Sequence, residues 1–95
     1  MKFQNLSKSY IIESGKNSVG YYRKYSDGYI EQWGYSTSGS QIVNLPLAYK
    51  SSSYNILLTN KTTTWRYSPF PTNITNKSFK VNSDVEPAFW MTLGY

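Results

Sequence analysis

Between Ser18 and Tyr95 the chain shows short apolar and aromatic runs separated by clusters of Ser, Asn, Gly and Pro, and no window sustains apolar residues at helical spacing. Ser18 to Tyr25 predicts a strand that enters the turn Ser26-Asp27-Gly28, where an Asp-Gly pair supplies the positive backbone φ of a tight hairpin. Tyr29 to Tyr35 alternates, with Tyr29, Glu31, Trp33 and Tyr35 on one face and Ile30 and Gln32 on the other. Neither face is cleanly polar.

After the small-residue turn Ser36 to Ser40, Gln41 to Leu45 predicts a strand stopped by Pro46. Leu47-Ala48-Tyr49 leads into a loop from Lys50 to Ser53, and Tyr54 to Asn60 is apolar at consecutive positions, the pattern of a strand buried on both faces. Lys61 to Asn76, with Pro69 and Pro71, reads as a long surface excursion. Ser78 to Val81 is a short strand, Asn82 to Pro87 a turn, and Ala88 to Tyr95 a closing strand with large apolar groups on both faces. Residues 1–9 read as a connector and 10–95 as one domain. Six or seven short strands about ten residues apart predict an all-β fold, a small antiparallel β-sandwich or barrel-like domain.

Composition narrows the chemistry. A chain of 95 residues supports one core, and this one has no Cys and no His, so disulfides, the usual zinc sites and imidazole or thiolate nucleophiles are excluded. Catalysis would have to run on five carboxylates, Glu13, Asp27, Glu31, Asp84 and Glu86, of which only the last two are close in sequence. No cofactor and no metal are expected. The net charge of +5 admits an anionic partner, yet the ten cations cluster no further than Arg23-Lys24. Aromatic residues make up 18%, ten of them Tyr, in a background of Ser, Thr and Asn that suits strands and recognition surfaces. No apolar run is long enough for a membrane span or a secretory signal, so the product is expected to be made in a cytoplasm without membrane insertion.

A chain this small has difficulty burying both faces of Ile56-Leu57-Leu58 and of Phe89 to Tyr95, which predicts burial against identical neighbours. The expected packing residues are Trp33, Ile56, Leu57, Leu58, Phe89, Trp90, Met91, Leu93 and Tyr95, with Trp33 and Trp90 read as core. The expected contact residues for a partner are Lys61, Trp65, Arg66, Tyr67 and Phe70 on the excursion, because aromatic rings stack on sugars and a guanidinium clamps acidic groups. Tyr49 and Tyr54 join them if their loop shares that end of the domain.

The segments SYIIESGKNSVGYYRKYSDGYIEQWG, SQIVNLPLAY, YNILLTN and FWMTLGY together resemble the C-terminal domain of bacteriophage and prophage tail fibres over residues 9–95, most specifically at Tyr22 to Gly34 and Phe89 to Tyr95. The resemblance implies a β-sandwich-like tip that assembles as a homotrimer, sits on the virion tail fibre and attaches it to a bacterial surface glycan or outer protein without enzymatic activity. The long shaft that precedes this domain in such fibres has no counterpart in these residues. Receptor-contacting residues vary between members, so none carries over by motif. Two other readings fit the composition: a small β-barrel that binds single-stranded nucleic acid, drawing on positive charge and stacking rings, and a glycan depolymerase working through Glu31 or Glu86.

Overall fold

The computed structural model describes residues 9–37, 39–60, 68–83 and 87–95. Among them the chain forms eight strands and no helix: β1 (Ile11–Lys16), β2 (Gly20–Tyr25), β3 (Ile30–Tyr35), β4 (Gln41–Asn44), β5 (Asn55–Asn60), β6 (Phe70–Thr72), β7 (Ser78–Asn82) and β8 (Ala88–Gly94). All pairings are antiparallel, in a five-stranded sheet of order β1-β2-β3-β8-β5 and a three-stranded sheet of order β4-β7-β6. The two sheets face each other as a β-sandwich. Ile30, Ala88 and Trp90 from the large sheet meet Val43, Phe79 and Val81 from the small one, and the Phe79 ring meets the Trp90 ring edge-on at 5.9 Å.

The β2–β3 hairpin forms where the Asp-Gly pair predicts it. The amide of Gly28 donates to the Tyr25 carbonyl at 2.9 Å, Gly28 adopts φ 97°, and the Asp27 carboxylate accepts the Tyr29 amide at 3.0 Å. Two strands lie outside the sequence-based expectation. β1 (IIESGK) has no alternation to betray it and is held as an edge strand by its pairing to β2, with a bulge between Ile11 and Glu13. β6 runs through Pro71 inside the segment read as an excursion; as the outer strand of the small sheet it has an unpaired side on which a missing N–H costs nothing.

The inner face of β3 is Ile30, Gln32 and Gly34, all buried. Two of these are not hydrophobic, and each has a packing reason. Gly34 lies opposite Gly20 on β2 and Trp90 on β8, and a Cβ at Gly34 would sit 2.8 Å from the Trp90 ring, so the absent side chain is the space the indole occupies. Gln32 is completely buried, and its amide accepts the Leu47 N–H at 2.8 Å and donates to the Leu47 carbonyl at 3.0 Å. It thereby replaces a missing strand partner for the β4–β5 connection. Strand β5 differs from the expectation of burial on both faces: Ile56 and Leu58 are half-buried against the core, while Leu57 is 52% exposed.

Candidate functional site

Because alternate residues of a strand face opposite ways, burial of Ile30, Gln32, Gly34, Trp90 and Thr92 puts their neighbours on the outer face of the large sheet. The registers align these outward residues in rows. One row crosses all five strands as Lys16, Tyr21, Trp33, Met91 and Leu57. The next runs Ser14, Arg23, Glu31, Leu93 and Asn55, and a third begins at Tyr35 and continues through Phe89 and Thr59. The β5–β8 end of these rows carries the aliphatic side chains Leu57, Met91 and Leu93 beside Phe89, Asn55 and Thr59, and the β1–β3 end is aromatic and charged.

At the β1–β3 end the Tyr21 and Trp33 rings lie 5.9 Å apart and 13° from parallel. The Arg23 guanidinium stands 4.8 Å from the centre of the Trp33 ring, and the Lys16 ammonium 5.9 Å from that of Tyr21. Arg23 Nε also lies 3.4 Å from Glu31 Oε1, inside ion-pair range but not aligned as a hydrogen bond, and Glu31 accepts the Tyr25 hydroxyl at 3.0 Å. The arginine is thus braced between a carboxylate and an indole with part of its side chain still open to solvent. Ser14, Lys16, Tyr21, Arg23 and Trp33 line an open cleft of about 460 Å³.

A second hollow of about 420 Å³ lies at the end of the sandwich that carries the β2–β3 turn, lined by Tyr29, Lys50, Ser51, Ser53, Asn55 and Tyr95 among others. The C-terminal strand is tied to the turn here: the Tyr95 hydroxyl donates to Asp27 Oδ2 at 3.2 Å, and the Tyr29 and Tyr95 rings are 5.5 Å apart. The amide hydrogen bonds, that of Tyr29 foremost, hold the Asp27 carboxyl below its ordinary range, while the bond to Asp27 raises the Tyr95 phenol.

The sequence-predicted contact residues are only partly brought together. Lys61, Trp65, Arg66 and Tyr67 lie outside the described residues, and Phe70 is exposed on β6. Tyr49 and Tyr54 do not face solvent as expected: they are 3% and 8% exposed and belong to the core. Their loop is polar, but the rings turn inward because the hydroxyls find partners there, Tyr49 with Thr92 Oγ1 at 2.7 Å and Tyr54 with the Thr75 carbonyl at 2.8 Å. Of the packing residues, Trp90 is fully buried, whereas Trp33, expected in the core, lies on the outer face with Phe89, Met91 and Leu93, all half-buried, and Tyr95 is exposed. Tyr21, Lys16 and Arg23 escaped sequence reasoning because their convergence depends on the β1–β2 register, and β1 carries no pattern of its own.

Among the described residues the carboxylates are dispersed. Glu13 accepts the Tyr22 hydroxyl at 2.9 Å and pairs in register with Lys24, on the side of the sheet opposite Glu31; Asp27 holds the turn; Asp84 and Glu86 lie outside the described residues.

The fold has solved counterparts in pyocin fibres. A C-terminal fragment of the Pseudomonas aeruginosa R2 pyocin fibre superposes with a TM-score of 0.72 at 11% identity, covering 98% of this chain and 28% of that one. An N-truncated R2-type pyocin tail fibre gives 0.64 at 12% identity, covering 98% and 41%, and the P. aeruginosa R1 pyocin fibre 0.53 at 11%, covering 98% and 30%. The chain therefore spans well under half of each of those fibre structures. No curated protein matches it in sequence. Residues 24–95 match the family described as putative tail fiber protein gp53-like, C-terminal, which takes in the Asp-Gly turn and β3 to β8, and the chain belongs to that family of tail-fibre C-terminal domains.

Proposed function

We propose that this domain is the receptor-binding tip of a phage-type tail fibre, a non-enzymatic module that works as a homotrimer and attaches the particle to a glycan or protein of the bacterial surface. The observation that carries the reading is the outer face of the large sheet, where partly exposed aliphatic side chains at one end continue into aromatic rings and cations at the other. Copies of the chain cover the aliphatic end, with Leu57, Met91 and Leu93 as its centre. Three tips on one fibre then multiply individually weak contacts into firm attachment. Dispersal of Glu13, Asp27 and Glu31 over two faces and a turn favours adhesion over acid-base hydrolysis, which needs two carboxyls on one bond.

Receptor contacts are assigned to Lys61, Trp65, Arg66, Tyr67 and Phe70. The test is binding of the fluorescently labelled chain to a panel of bacterial strains, with the Trp65→Ala, Arg66→Ala double variant alongside. Saturable binding to some strains and not others, weakened in the double variant, is the expected result. Absence of binding to every strain, or release of reducing ends from the bound surface, overturns the adhesion reading, and unchanged binding of the double variant moves the contacts elsewhere.

A further inference from the structure

The cleft between Lys16, Tyr21, Arg23 and Trp33 points to a binding site that is separate from the segment 61–71, and we propose that it takes an anionic saccharide, a sugar ring carrying a carboxylate or a phosphate. The inference rests on the adhesion reading for its biological setting, and on the geometry of the cleft for its ligand class.

The Tyr21 ring, nearly parallel to that of Trp33 with 5.9 Å between centres, offers a flat apolar surface against which the C–H face of a pyranose packs. Tyr21 is 48% exposed, so ring area remains for a ligand after the ring has stacked on Trp33. The flanking groups set the charge. The Lys16 ammonium stands over the Tyr21 ring and the Arg23 guanidinium over the Trp33 ring, so each ring has a cation against it. Glu31 offsets part of the Arg23 charge but approaches it through Nε, the inner nitrogen of the guanidinium. Two cations against one carboxylate leave the cleft positive, in a chain whose net charge is +5. Ser14, across from Arg23 on β1, adds a hydroxyl that can donate or accept with sugar hydroxyls.

Placement supports use of the cleft in the assembled protein. It lies on β1 to β3, at the end of the rows opposite Leu57, so copies that cover β5 and β8 leave it at the rim. Its volume of about 460 Å³ lies within the usual range for small-ligand sites of roughly 300–1,000 Å³. A neutral sugar would leave both cations unused, and a nucleic-acid strand would need a basic track longer than Lys16 and Arg23, since Lys24 faces the other side of the sheet.

The test is calorimetric titration of the full chain with oligogalacturonate for the carboxylate, a mannose 6-phosphate oligosaccharide for the phosphate, maltoheptaose as the neutral control and an oligothymidylate. At least one anionic saccharide is expected to bind and maltoheptaose not to. Tyr21→Ala and Lys16→Gln, both at outward-facing positions, should each weaken that binding roughly tenfold, the ~1.4 kcal/mol of one stacked ring or one cation, with the circular dichroism spectrum unchanged. Binding of neither anionic saccharide at millimolar concentration, equal binding of maltoheptaose, binding of oligothymidylate alone, or saccharide binding indifferent to both variants overturns the proposal. The same variants on the strain panel separate the two readings. Full cell binding by Tyr21→Ala, with a wild-type chain that does not respond to the anionic saccharides, sinks the cleft and leaves adhesion standing, whereas variant-sensitive saccharide binding by a chain that attaches to no cell sinks adhesion and leaves the cleft.

Discussion

The ring of Tyr54 stacks on that of Tyr49, centres 4.3 Å apart and 17° from parallel, and the two hydroxyls fasten different parts of the sandwich. Tyr49 reaches Thr92 on β8, and Tyr54 reaches the Thr75 carbonyl in the turn before β7 and that of Ser78, the first residue of β7. Burial raises both phenols, that of Tyr54 from 10.0 to about 12. Below pH 10 this phenol is protonated in both folded and unfolded chains and stability does not depend on it. As pH rises from 10 to about 12 the unfolded chain ionises while the folded one does not, so proton loss pulls the equilibrium toward unfolding. Urea unfolding followed across pH 9 to 12 should show stability falling only above pH 10, and Tyr54→Phe should flatten part of that fall while lowering stability at neutral pH through the lost hydrogen bonds. A flat profile through this window would contradict the buried placement.

Gly34 and Trp90 share one space. A Cβ at Gly34 would stand 2.8 Å from the indole and 2.7 Å from the Val19 carbonyl oxygen, so Gly34→Ala forces the ring or the backbone to move and should destabilise by about 1–3 kcal/mol. For a domain of this size each kcal/mol lowers Tm by roughly 4–8 °C. Combining Gly34→Ala with Trp90→Phe should cost less than the sum of the two single changes, because the smaller ring yields the contested volume while the Val19 contact persists. Wild-type melting of Gly34→Ala would contradict the close approach.

Gln32→Leu isolates the other polar position of the inner face. The apolar side chain suits the burial, but it leaves the Leu47 N–H and carbonyl without the amide that satisfies both, at about 1–3 kcal/mol for each unpaired group. Faster hydrogen exchange at the Leu47 amide, together with reduced stability, is expected. Exchange at the wild-type rate would show that the amide pair does not hold the connection.

These positions explain what the sequence made legible and what it hid. The Asp-Gly hairpin and the closing strand follow from turn chemistry and apolar content, both local properties. Which face of β3 is buried does not. The inward residues are Ile30, Gln32 and Gly34, and the outward ones include Trp33 and Tyr35, so hydropathy favours the wrong side. The true side is selected by Trp90 filling the space over Gly34 and by Leu47 pairing with Gln32, contacts made across 56 and 15 residues of chain. Tyr49 and Tyr54 mislead in the same way, since their loop is polar while their hydroxyls are satisfied inside. The cation-flanked rings depend on register with β1, a strand that alternation does not mark.

Leu57 tests whether the aliphatic end of the outer face is an interface. It is 52% exposed in the single chain, where an aspartate would be solvated and change stability by no more than about 0.5 kcal/mol. In a homotrimer that covers this strip, the same substitution buries unpaired carboxylates against Met91 and its counterparts, at a cost of several kcal/mol each. Light scattering behind size exclusion should therefore give the wild-type mass as three chains and that of Leu57→Asp as one, with the β-sheet circular dichroism of the variant retained. A trimer that persists in Leu57→Asp with unchanged melting would place the interface on another surface. A wild-type mass of one chain would mean that the strip stays open to solvent, and adhesion would then have to work without the avidity of three joined tips.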